Sequence, residues 1–137
     1  MNTPRYLVDT NILLRFLTGE PRSQAAAARK LFARAAAGEI VLDLSPIIVA
    51  ETLYTLISFY TVERKAAATQ LSLLLQQPGV RLRESAQVLA ALDRLKTTHI
   101  AFADAFLAAG ATAENVAVAS FDRDFDKLKI PRHEPTE

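Results

Sequence analysis

Four acids stand where this chain could do chemistry: Asp9, Glu51, Asp104 and Asp122. Asp9 follows the apolar run Tyr6–Val8, and Asp122 follows Val116–Ser120. Both runs read as short strands, and ligands of parallel α/β sheets bind beyond the carboxyl ends of strands. Glu51 and Asp104 stand out by helical phase. Ile47, Ile48 and Tyr54 lie three or four residues from Glu51; Ile100, Leu107 and Ala108 lie three or four from Asp104. Residues at those spacings share one helix face, so each acid is expected within a stripe that faces the core. A buried carboxylate needs a partner or a metal, and neither acid has a Lys or Arg at helical spacing. Four converging carboxylates would repel one another and hold their protons more tightly unless a cation intervened. Oxygen donors alone select hard ions, Mg²⁺ or Mn²⁺. Such ions suit the hydrolysis of phosphodiesters, activating water and stabilising charge on the phosphate.

The elements that must position these acids follow from periodicity and punctuation. Tyr6–Val8, Ile40–Leu44, Val80–Leu82 and Val116–Ser120 read as strands, short and continuously apolar as doubly covered strands are. Helices are expected over Asn11–Leu17, over Arg22–Ala37 with Gly38 as its stop, and from Ser45-Pro46 to about Tyr60. Further helices are expected from Thr61 and Glu63 to about Leu75, from Ser85 to about Lys96, over Ile100–Ala109 with Gly110 as its end, and near Asp124–Leu128. Pro78-Gly79 marks a turn, and a polar tail starts at about residue 131. Strands alternating with helices predict an α/β domain with a parallel sheet.

The bulk numbers bound the function. At 137 residues the chain suits one domain, 1–137, with a core of its own. Half the residues are hydrophobic and the net charge is +1, so nucleic-acid binding would need a local basic patch rather than a basic protein. With no cysteine, disulfides, thiolate zinc sites and cysteine nucleophiles are excluded. Asp9, Asn11 and Arg15 interrupt the first apolar run, which argues against a signal peptide. No run is long and apolar enough for a transmembrane helix, and a cytoplasmic location is the expectation.

The motifs LVDTNILL, AETLY, ADAFLAA and SFDRDF, in that order and spacing, resemble the PIN-domain nucleases. The compact length resembles the VapC-type toxins of type II toxin–antitoxin systems. The resemblance implies a three-layer α/β/α sandwich around a short central parallel sheet, and Mg²⁺- or Mn²⁺-dependent endoribonuclease activity. It places the acidic quartet on Asp9, Glu51, Asp104 and Asp122 as catalytic and metal-binding residues, with Asn11, Ser120 and Asp124 around them. It also implies a homodimer, an RNA substrate and a small antitoxin whose peptide blocks the site. Arg15, Arg123, Lys127 and Lys129 are candidates for phosphate contacts.

Blander readings stand beside these. Asp9 could cap the next helix, Glu51 could pair with a distant arginine, Asp104 could face solvent, and Asp122 could belong to a polar loop. Asp43, Asp93 and Asp126 read as ordinary surface or turn acids. His99 and His133 share no metal-binding spacing with another candidate. The Leu71, Leu74, Leu75 stripe with Ala67 and Ala68 reads as helix packing, and Leu53, Leu56, Ile57 and Tyr60 as core before dimer face. Two other functions fit less well: a non-catalytic RNA- or protein-binding module, against which the intact quartet argues, and a phosphatase with Asp9 as nucleophile. The latter pattern wants a second aspartate where Asn11 stands.

Overall fold

The computed structural model describes residues 2–137. The chain divides into two compact units, residues 1–84 and 85–137.

In the first unit, β1 (Arg5–Leu7), α1 (Thr10–Thr18), α2 (Arg22–Ala36), β2 (Val41–Leu44), α3 (Pro46–Ser58), α4 (Arg64–Leu75) and β3 (Val80–Leu82) follow one another. The strands form a parallel sheet in the order β1-β2-β3, with Leu7 opposite Asp43 and Leu44 opposite Leu82. Parallel neighbours require crossover connections, supplied by the helices between them. Local chemistry sets the helix ends. Pro46 takes the first turn of α3, where its missing N–H is harmless. Glu63 caps α4 by accepting the Lys65 N–H at 3.2 Å. Phe16 and Phe32 pack α1 on α2, ring centroids 4.8 Å apart. The stripe Ala67, Ala68, Leu71, Leu74 and Leu75 is fully buried, as helix packing predicts.

Gly79 opens β3 with φ +83°, and a Cβ there would collide with the Ala35 carbonyl of α2. Its own carbonyl accepts the Leu42 N–H at 2.9 Å. The turn expected at Pro78-Gly79 is thus also the point where α2 lies against the sheet.

Three expectations need correction here. Only β2 is covered as a central strand should be: Leu42, Asp43 and Leu44 are buried, whereas β1, an edge, leaves Leu7 74% exposed. Asp43 is no surface acid; it is 2% exposed and bound by two arginines. The buried face of α3 is Val49, Thr52, Leu53 and Leu56, so Glu51 is exposed alongside Ile47 and Tyr54. α3 is apolar on most of its circumference, and its phase cannot be read from that pattern.

The second unit contains α5 (Ser85–Leu95), α6 (Phe102–Glu114), β4 (Val118–Ala119), α7 (Asp124–Lys127) and β5 (Arg132–His133). α5 packs on α6 through Val88, Ala91, Leu92 and Leu95. Gly110 does not end α6; the helix continues to Glu114 and stops at Asn115, whose φ is +55°. Gly110 is small because the Gln87 side chain lies where a Cβ would stand, 2.5 Å from that position, and donates to the Phe106 carbonyl at 2.8 Å. Ala108, Ala111, Val118, Phe125 and Ile130 form the core joining α6, β4 and α7. β4 pairs in parallel with β5, Val118 opposite Arg132, in a sheet of its own rather than as a fourth strand beside β1 to β3. The polar tail therefore starts with a paired strand.

Candidate active site

Asp9 follows β1 and caps α1. Its Oδ1 accepts the Ile12 N–H at 3.2 Å, and the side chain is exposed. The capping reading is thus correct, and it leaves Oδ2 for other work. Beside it, Thr10 Oγ1 is buried without a hydrogen-bond partner among the described residues. Glu51 stands on the open face of α3 and forms no ion pair among the described residues. Asn11 and Arg15 line a different cavity, of about 330 Å³, between α1 and α2. There Arg15 donates from Nε to Gln24 Oε1 at 2.9 Å and from Nη1 to the Tyr60 hydroxyl at 3.4 Å.

In the second unit Asp122 and Asp124 lie near enough for their charges to act on Asp104. Asp104 sits in the first turn of α6, half-buried. Its carboxyl is pushed above the ordinary range, first by burial and then by the negative charges of Asp122 and Asp124. Asp122 is held by its own loop: its N–H donates to Ser120 Oγ at 2.9 Å, and its Oδ1 accepts the Asp124 N–H at 2.8 Å. The Ser120 hydroxyl therefore orients the backbone of the acid loop. Asp124 pairs with Lys127 at 3.5 Å, which draws Lys127 towards the acids.

Arg132 is the residue that sequence reasoning missed. Its Nε and Nη2 meet the two oxygens of Asp126 at 3.1 Å each, and Nη1 reaches the Ser120 carbonyl at 3.0 Å and Glu134 at 2.9 Å. A bidentate guanidinium fixes geometry as well as charge, so this fork ties both ends of the loop that carries Asp122 and Asp124. The pairing raises the Arg132 pKa and lowers that of Asp126. No local signal marked it, because Arg132 lies in a segment that reads as tail.

Among the described residues, no three Asp, Glu or His side chains are gathered tightly enough to enclose an ion. The donors are separate carboxylates that feel one another's charge. Their chemistry, oxygen only, suits a hard cation; Asp104 is raised by burial first and by the charges of Asp122 and Asp124 second, while Asp124 keeps Lys127 as its counterion.

The model of the PIN domain family matches residues 6–131, across both units. The chain belongs to the PIN domain family. PIN domains are generally nucleases that use divalent metal ions, which accords with these acids, and the parallel sheet with its helices agrees with a PIN-like α/β/α fold. No curated protein matches this PIN domain. Among solved structures, the crystal structure of VapBC2 from Rickettsia felis bound to a DNA fragment from their promoter is similar over 94% of this chain and 97% of that chain, at 18% identity and a TM-score of 0.40. Among the described residues, no helix is long and apolar enough to cross a membrane.

Proposed function

We propose that this PIN domain is a Mg²⁺- or Mn²⁺-dependent endoribonuclease that hydrolyses RNA phosphodiester bonds, and that it is the toxin of a VapBC-type toxin–antitoxin pair. The observation that carries the reading is Asp104, half-buried in the first turn of α6 with the charges of Asp122 and Asp124 added to its burial and no basic side chain paired to it among the described residues. A protein that keeps like charges together against their repulsion has a use for a cation.

Asp9 and Asp104 are the main direct ligands in this reading, Asp9 through the oxygen not committed to its helix cap. Glu51 and Asp122 complete the shell, directly or through water. When bound, a divalent ion supplies an activated water and stabilises charge on the phosphate. The protein's own part is orientation. Ser120 and Arg132 hold the Asp122 loop, Asp124 is an outer acid, and Asn11, two residues after Asp9, stands where the PIN motif has a polar residue supporting that aspartate. Arg123, Lys127 and Arg15 are the proposed phosphate contacts. The VapC-type motifs support a homodimer and a small antitoxin whose peptide covers the acids; the length of 137 residues suits a single domain, and the cytoplasm is its proposed location.

The test is cleavage of a mixed cellular RNA pool by the pure protein with Mg²⁺, with Mn²⁺ and with EDTA, beside Asp104→Asn. Metal-dependent cutting that disappears in the variant supports the reading. Cutting that survives Asp104→Asn, or that ignores EDTA, refutes it.

A further inference from the structure

An open cavity of about 340 Å³ lies at the carboxyl ends of the three strands of the first unit. Each strand contributes one polar group from just beyond its end: Asp9 after β1, Ser45 after β2 and Arg83 after β3. Leu7, Val8 and Ile48 supply apolar wall, and the buried Asp43 lies beneath. The crevice beyond strand carboxyl ends is where parallel α/β sheets bind ligands.

Arg83 is anchored at one nitrogen, its side chain about half exposed. Its Nε donates to Asp43 Oδ1 at 3.1 Å, while Arg5 Nη1 meets Asp43 Oδ2 at 3.4 Å from the opposite strand. One buried carboxylate thus braces arginines from both edges of the sheet. The terminal nitrogens of Arg83 have no protein partner among the described residues. Ser45 begins α3, but its side chain makes no capping bond there, so its hydroxyl is also uncommitted.

We propose that this cavity seats a base of the RNA substrate beside Asp9, and that Arg83 reads its edge. The inference rests on the ribonuclease reading above and adds to it a sequence preference. The space is larger than a phosphate needs, Leu7, Val8 and Ile48 give it an apolar wall, and the carboxylates of Asp9 and Asp43 beside it would repel a phosphate. A flat base suits apolar walls with a few placed polar groups. The free end of a guanidinium is a two-pronged donor, and guanine presents two adjacent acceptors, O6 and N7, to such a fork. Guanine is therefore the base expected next to the cut. Asp43 acts as a positioning residue through Arg83.

The experiment measures binding of fluorescent single-stranded RNA oligomers by the full-length Asp104→Asn protein in Mg²⁺, with guanine or adenine at one position. Guanine is expected to bind about 10-fold tighter. Arg83→Ala should abolish that difference. Arg83→Lys should keep the affinity at low salt, because the charge remains, yet lose the preference, because the fork is gone. Ile48→Phe fills the cavity, leaves the arginine pairs in place, and should also lose the preference. The proposal is overturned if the parent shows no base preference, if the preference survives Arg83→Ala, or if neither oligomer binds. It is equally overturned if Arg83→Ala weakens all oligomers alike and flattens the salt dependence, since that is a backbone contact. The two readings fail separately. A guanine preference in a wild-type protein that cuts nothing removes the nuclease and keeps the pocket, whereas cutting without base preference removes the pocket alone.

Discussion

Replacing Asp43 by asparagine removes one negative charge from beneath two positive ones and changes almost no volume. Asp43 is 2% exposed, and its side chain meets Arg83 at 3.1 Å and Arg5 at 3.4 Å. Breaking a fully buried ion pair by removing one partner costs about 3–5 kcal/mol, most of it from the charge left stranded. The charges left here are not stranded: the Arg5 and Arg83 side chains are 52% and 55% exposed and can turn to water. The loss is then closer to that of one charge-assisted hydrogen bond, about 2 kcal/mol. For a chain of this size that is a fall of roughly 8 °C in Tm. Arg5→Ala and Arg83→Ala each remove a half-exposed partner while the other still neutralises Asp43, so each should lower stability by about 1 kcal/mol or less. Urea denaturation followed by far-ultraviolet circular dichroism measures all three, a suitable probe since the chain has no tryptophan. An Asp43→Asn protein as stable as the wild type, or one damaged less than Arg83→Ala, would refute the idea that one carboxylate braces the sheet.

Two further outcomes are expected. Gly79→Ala should lose about 3 kcal/mol, because the new methyl meets the Ala35 carbonyl in a left-handed backbone; Gly38→Ala, with φ +80° but nothing within 4 Å, should lose only about 1 kcal/mol, and equal effects in urea denaturation would contradict the close approach. Saturating Mg²⁺ should raise the thermal midpoint of the wild type, by about 2.7 kcal/mol of stability at a hundred times Kd, and should leave that of Asp104→Asn unmoved; no shift in the wild type would mean that the acids do not act together.

Most of the elements are legible in the sequence, because short-range chemistry decides them. β3 has the predicted bounds, α4 ends where expected, and Pro46 and Gly38 stand at the helix boundaries they announce. What fails is what depends on contacts far along the chain. Gly110 reads as a helix end, and only the Gln87 side chain explains it as an interior glycine. Asp43 reads as an ordinary acid because its partners, Arg5 and Arg83, are brought to it by the register of parallel strands. Arg132 reads as tail because the loop it holds comes several residues earlier. The same division runs through the site. Asp9 beyond a strand and Asp104 in an apolar helix are visible locally, although Glu51 stands on the exposed face of α3 and not on the core face its spacing suggests. The mutual influence of Asp104, Asp122 and Asp124 joins α6 to the loop after β4, and no local pattern contains it.

That influence has a pH signature opposite to the one next to it. Asp104 binds its proton more tightly in the folded unit than in the unfolded chain, since burial, Asp122 and Asp124 all disfavour the carboxylate. Protonated, it favours the fold; that contribution is present below the ordinary 3.8 and is lost as pH rises through the raised folded value. Asp126 behaves inversely. Arg132 lowers its pKa, so its contribution is present above the unfolded value and is lost as pH falls through the depressed one. Asn in either place mimics the protonated acid. In metal-free protein at neutral pH, Asp104→Asn should therefore melt at or above the wild type and Asp126→Asn below it, and both differences should shrink in acid. A metal-free Asp104→Asn protein that is clearly less stable than wild type at neutral pH would mean that the Asp104 charge is already compensated within the protein. The case for a bound cation would then lose its main support, because a carboxylate at ease with its neighbours asks for no ion.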